Sequence, residues 1–318
     1  MAMDEFSLIR RYFAPLATSA GADGLRDDVA EIARLENGMG LIATKDAIVE
    51  GVHFLPDDPL ETVAQKLVRV NVSDIIAKGG KPDAALLALV WPKGRPHEQL
   101  DGFARGLRKD FDRWGAHLVG GDTTSTDGPL TLTLTLTGKV GSRGPVRRSG
   151  AKVGDDIWVT GTIGDSWLGL QAATGALGDL SAEARNLLVS RYRVPEPPRL
   201  AFADVVAAHA HASIDVSDGL VADAGHVAEA SGVALVIEAA KVPLSATGDA
   251  YVANSRADLR ALLTGGDDYQ TLFTAPPSAR AAITGATRIG AVIAGQGVSI
   301  LDAAGATMTF DTPGFRHF

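Results

Sequence analysis

Residues 120–138, GGDTTSTDGPLTLTLTLTG, end in a run where leucine and threonine alternate without a break. A β-strand turns successive side chains to opposite faces. Leu130, Leu132, Leu134 and Leu136 therefore form an apolar face, and Thr131, Thr133, Thr135 and Thr137 a polar one. That pattern suits an antiparallel sheet covered on one side, whereas the strands of a doubly wound parallel sheet are apolar on both faces. With helical segments around it, the strand predicts α+β layers of mixed or antiparallel sheets packed with helices. Leu118 and Val119 read as the end of an earlier strand. Gly120, Gly121 and Asp122 then fall in a connection, where sites are usually built.

Working outward, the apolar pattern predicts strands over 40–49 and 84–91 and helices over 1–13, 60–78 and 98–114. The segment GSRGPVRRSGAKVGDD (141–156), rich in glycine and arginine, is the predicted domain boundary, dividing the chain into 1–144 and 145–318. Beyond it, strands are expected over 157–160, 213–216, 233–238, 270–274 and 298–301, and helices over 180–191 and 218–230. LVGGDTT (118–124) and LLTGGDDYQ (262–270) form a weak internal echo that fits two related halves.

Composition narrows the function classes. The chain has 318 residues, room for two domains, and a formal charge of −8, which lacks the basic stripe that general nucleic-acid binding needs. The absence of cysteine excludes disulfides, thiolate nucleophiles and zinc knuckles, and points to the cytoplasm. The first residues carry acids where a signal peptide would carry only positive charge. The longest apolar run, Ala84 to Trp91, is far short of the ~20 residues of a membrane helix.

The chemistry-bearing residues are aspartates: Asp27, Asp28, Asp46, Asp74, Asp122, Asp215, Asp218, Asp267 and Asp268. Helix capping and turn formation account for several of them. Asp74 resists that reading. On a helical wheel Gln65, Lys66, Arg69 and Ser73 share a polar face, but Asp74 falls with Val63, Leu67 and Val70, where an unmatched charge costs several kcal/mol. Converging carboxylates without cysteine or paired histidines suit a hard cation such as magnesium, which completes its shell with water and substrate phosphate. The residues alone thus predict a magnesium-dependent phosphate-handling enzyme; a Walker loop and kinase signatures are missing.

Eight segments come in the order of a known family: KDAIVEGVHF (45–54), NVSDIIAKGGKP (71–82), GGDTT (120–124), RRSGAKVGDDIWVTG (147–161), SIDVSDGLVAD (213–223), SGVALVIE (231–238), GGDDYQTLF (265–273) and GFRHF (314–318). The chain resembles the thiamine-monophosphate kinases of the aminoimidazole ribotide synthetase-like superfamily. The resemblance implies two α+β domains, ATP bound between them, and a homodimer formed through the N-terminal sheet. It also implies transfer of the ATP γ-phosphoryl group to thiamine monophosphate. By the same resemblance Asp28, Thr44, Asp46, Asp74, Asp122, Asp215 and Asp218 hold several magnesium ions. Gly121, Asp122, Arg148 and Ser217 contact ATP, and His53, Asp267 and Phe315 contact thiamine monophosphate. No side-chain nucleophile or base is expected, because the attacking phosphate is already an oxyanion. Three positions depart from the family pattern: Arg26 replaces a glycine, Lys45 a hydroxyl residue and Asp267 a glutamate. Lys45 is a candidate to stand in for the charge of one magnesium ion. Two alternatives stay open: another ATP-dependent enzyme of the superfamily, such as aminoimidazole ribotide synthetase, or a non-enzymatic divalent-cation-binding module.

Overall fold

The computed structural model describes residues 5–178, 180–254 and 258–315. The expected N-terminal helix is present from Glu5 to Phe13, as α1 (Glu5–Leu8) continuing into a π-helical turn, and its first four residues lie outside the described region. The first sheet contains β1 (Ala30–Arg34), β2 (Gly40–Val49), β3 (Lys81–Pro92), β4 (His117–Thr126) and β5 (Thr131–Val140). Their spatial order is β1-β2-β5-β3-β4, antiparallel except for the β3–β4 pair. All four leucines of the alternating run are fully buried and the threonines half-buried. They pack beneath α2 (Leu60–Ala77) and α3 (Leu100–Trp114) in one core.

Strand β4 corrects the sequence reading. Gly120, Gly121 and Asp122 lie inside a ten-residue edge strand, not in a connection. Polar Thr and Ser with paired glycines read as a loop, but the backbone completes a ladder with β3, with Gly121 opposite Leu87 and Asp122 opposite Ala88. A side chain at Gly121 would put its Cβ 1.9 Å from the Leu87 carbonyl oxygen, so only glycine permits this approach.

The second sheet joins β6 (Asp156–Thr160), β7 (Ala212–Asp215), β8 (Ala234–Glu238), β9 (Thr271–Ala275), β10 (Ala286–Ile293) and β11 (Gly297–Leu301) in the order β11-β8-β10-β6-β9-β7. Helix α7 (Leu220–Ser231) packs on one face. The other face carries α6 (Phe202–His209), and α4 (Asp165–Ala173) packs with α5 (Ala182–Arg193) in a separate cluster. The two Gly-Gly-Asp segments are not structural equivalents: the second forms a loop with left-handed backbone at Gly266, Asp267 and Tyr269.

Helix α2 is the pivot of the molecule, because it touches both sheets. Its supposed polar face is buried as deeply as its apolar one. The polar stripe meets polar groups of α3 and of the other half. Arg69 lies against Asp110 and Glu196, with Gln65 also on Asp110, and Ser73 donates to the Tyr269 carbonyl. Breaking a buried pair leaves an uncompensated charge, so Asp110→Ala should cost about 3–5 kcal/mol in chemical denaturation. A loss under about 1 kcal/mol would show that Glu196 alone suffices for Arg69.

Candidate active site

Period-two geometry places Thr44 and Asp46 of β2 on the same face as the core residues Ile42 and Ile48, toward α2. Asp74, near the C-terminal end of α2, meets them there, with Thr44 donating to its carboxylate. Asp215 ends β7, and Asp28 arrives from the loop before β1. Oxygens of Asp28, Asp74 and Asp215 lie within 4.8 Å of one another. These elements draw acids from both halves of the chain into one buried cleft. The capping alternative for Asp27 and Asp28 is not realised, since a strand follows them, and α7 begins from Gly219, so Asp218 does not cap it.

The charges divide into two groups. Burial and then the charge of Asp28 push Asp46 up to about 6, and the same causes raise Asp215 to about 7. Burial and the charges of Asp215, Asp46 and Asp28 raise Asp74 well above the ordinary range. Asp28 moves the other way: burial would raise it, but Arg148 and Lys78 outweigh that effect and hold it low. Burial and mutual repulsion keep these acids from ionising, and a cation among them would favour their charged forms.

The fit to a hard cation can be judged from the donors. All are oxygens, and one buried oxygen of Asp46 has no hydrogen-bond partner. The set therefore suits magnesium.

A pH dependence follows. A group whose folded pKa is raised gives its full stability below the unfolded value of 3.8, and that stability is lost as pH rises through folded values of about 6 and about 7. Asp28, shifted downward, acts only at more acid pH. Metal-free protein in chelator should therefore melt at falling temperature from about pH 4 to about pH 7. A melting temperature that climbs across this window would contradict the arrangement.

Beside this cleft, ligand atoms of Asp218, Asp223 and His226 also lie within 4.8 Å of one another. Asp223 accepts the backbone N–H groups of Asp218 and Gly219, which fixes the turn into α7. Arg148 joins the two groups of acids: it donates to Asp28 through Nε at 2.8 Å, and its charge also reaches Asp223.

Two of the expected substrate residues, His53 and Asp267, are linked through Lys66. The His53 ring accepts the Val49 N–H, and its carbonyl accepts Lys66 Nζ at 2.8 Å. The same ammonium reaches Asp267 at 2.7 Å and sits over the Tyr192 ring, and the Tyr269 hydroxyl donates to Asp267. The Ser217 carbonyl accepts the Asp267 N–H and ties the two predicted contacts together. Phe315 is exposed and its N–H donates to the Asp218 carbonyl, so the C-terminal segment returns to the cleft.

Two predicted positions lie elsewhere. Asp46 stands opposite Leu134, Leu134 opposite Leu87, and Leu87 opposite Gly121. Gly121 and Asp122 are thus three strands away from Asp46, about 14 Å at ~4.8 Å per strand. Lys45, on the face opposite Asp46, is exposed and does not serve the acids. Sequence reasoning passed over Lys66, Lys78, Asp223 and Tyr269 as site residues. Only Lys66 left a signal, as a cation on the supposed polar face of α2.

The fold and the acids define a class. Residues 26–140 match the family described as AIR synthase related protein, N-terminal domain, and residues 152–302 match its C-terminal domain. The thiamine-monophosphate kinase of Caulobacter vibrioides is 39% identical over 93% of this chain and 86% of its own length. That of Salmonella typhimurium is 36% identical over 100% and 99%. Among solved structures, AaThiL complexed with AMPPCP and TMP superposes with a TM-score of 0.88 at 32% identity, covering 99% of this chain and 97% of the other. The thiamine monophosphate kinase of Aquifex aeolicus gives 0.83 at 32% identity, covering 97% and 98%. The chain belongs to the thiamine-monophosphate kinase family.

Proposed function

We propose that the protein transfers the γ-phosphoryl group of ATP to thiamine monophosphate, giving thiamine diphosphate and ADP. The observation that carries this reading is the buried convergence of Asp28, Asp46, Asp74 and Asp215 beside Arg148, in a chain of this family. In the balanced step, a phosphate oxygen of thiamine monophosphate forms a bond to the γ-phosphorus while the bond from that phosphorus to the β–γ bridging oxygen breaks. The electron pair leaves with ADP. No side chain needs to remove a proton, so none of these residues acts as a base.

Asp46, Asp74 and Asp215 are the groups to hold magnesium, with Thr44 orienting Asp74 and Asp28 closing the set. When bound, magnesium neutralises phosphate charge and aligns the two phosphates. Arg148, fixed between the two groups of acids, offers its guanidinium to the nucleotide phosphates. Ser217 holds the Asp267 loop, and Asp218 lies where α7 begins, as a further oxygen donor. Lys66 and Tyr269 orient Asp267. His53 lies beside them for the substrate phosphate, and the Phe315 ring suits stacking on the cationic thiazolium.

The β4 edge, with Leu118 and Val119 exposed on it and Leu86 exposed on the neighbouring β3, supports a homodimer through the first sheet. In that assembly Gly121 and Asp122 act on the site of the other copy. An acidic composition without cysteine supports a cytoplasmic enzyme, and among the described residues no helix is long and apolar enough to cross a membrane. Formation of thiamine diphosphate from ATP, magnesium and thiamine monophosphate tests the reading. Turnover of formylglycinamidine ribotide instead would reassign the enzyme within its superfamily, and magnesium binding with no turnover of either would favour a binding module.

A further inference from the structure

Lys78 follows the last residue of α2 and is fully buried. Its ammonium donates to the Ser213 carbonyl at 2.6 Å, lies 3.3 Å from Asp27 and makes an ionic contact with Asp28. Burial of both groups makes this a close pair, and the Lys78 charge helps to hold the Asp28 carboxyl low. The other Asp28 oxygen is taken by Arg148. Both oxygens of Asp28 therefore already face protein cations.

The remaining cations do not do this. Arg147 approaches Asp27 only to 3.9 Å and spends a hydrogen bond on the Val29 carbonyl, and Lys45 is exposed on the far face of β2. Asp46, Asp74 and Asp215 are by contrast associated with one another and with the hydroxyls of Thr44 and Ser73.

We propose that Lys78 is a permanent internal counter-cation of the acid cleft, which takes the share of Asp27 and Asp28 that a divalent ion would otherwise neutralise. The inference rests on the magnesium-binding reading of the cleft. Its consequence is an asymmetric site, in which Asp28 meets the ion already paired with Lys78 and Arg148, Asp215 feels the Lys78 charge more weakly, and Asp46 and Asp74 depend most on the ion. The cleft then takes up less magnesium than the same acids would without Lys78.

The test uses full-length protein without nucleotide, titrated with magnesium chloride by calorimetry and melted in chelator and in magnesium. Lys78→Met removes the cation, and Lys78→Gln keeps a donor for the Ser213 carbonyl. Both should melt lower than the parent in chelator and regain most of the difference in magnesium. Both should also take up one further ion, or bind magnesium about tenfold more tightly. Folded variants with the parent's stoichiometry and affinity would overturn the proposal and leave Lys78 a strut between the halves. If the variants fold only with magnesium present, the proposal stands; if magnesium restores neither, it fails. No readout involves ATP or thiamine monophosphate, so a wrong substrate assignment would leave these titrations unchanged while the kinase assay stayed blank.

Discussion

Asp74→Asn should reduce kcat/KM for thiamine monophosphate by about a thousandfold while leaving the metal-free protein at least as stable as the parent. The two halves of that result have one cause. Asp74 stands among Asp28, Asp46 and Asp215 with Thr44 as its hydrogen-bond donor, and its pKa is raised first by burial and then by those neighbours. Without metal its negative charge is poorly tolerated in the cleft. Asparagine keeps the shape and still accepts from Thr44, but it cannot ionise. Because the raised group destabilises the fold as pH rises above its unfolded value of 3.8, the thermal advantage of the variant should be smallest in acid and grow with rising pH. Magnesium should raise the parent's melting temperature more than the variant's. A variant that melts well below the parent in chelator at every pH would make Asp74 a structural acid held by Thr44, and the cleft would lose its central metal ligand.

The Leu/Thr run was legible because alternation depends only on the geometry of one strand, and the four buried leucines follow from it. Asp74 was legible for a related reason: a carboxylate on an apolar stripe conflicts with its own helix, and such conflicts mark sites. What the sequence hid depends on who faces whom. Gln65, Lys66, Arg69 and Ser73 form a polar stripe whether they meet water or a second domain, so their burial could not be read from α2 alone. Lys78 precedes a glycine pair and resembles any helix-ending lysine. Its role appears only when β7 brings Ser213 across to it, 135 positions away. Strand β4 was missed because edge pairing with β3 overrides the weak strand preference of glycine and aspartate.

Mixing two inactive variants, Asp122→Asn and Asp74→Asn, should restore about a quarter of parental activity if the sites of a homodimer are shared. Within one chain Asp122 is about 14 Å from Asp46 along the sheet, counted in strand spacings, and it lies on a strand exposed almost throughout. A catalytic role for Asp122 inside its own chain would require the sheet to part. Across a twofold axis at the β4 edge, in the proposed homodimer, the same residue would face another molecule. Random association makes half the dimers mixed, and each mixed dimer has one site with Asp74 from one copy and Asp122 from the other, its second site lacking both. Each variant alone should be essentially inactive, and recovery should follow subunit exchange in time and vanish on dilution below the dimer dissociation constant. Absence of recovery in a mixture shown by mass to contain mixed dimers would sink the shared site and leave Asp122 acting within its own chain. An Asp122→Asn variant with parental activity would remove it outright.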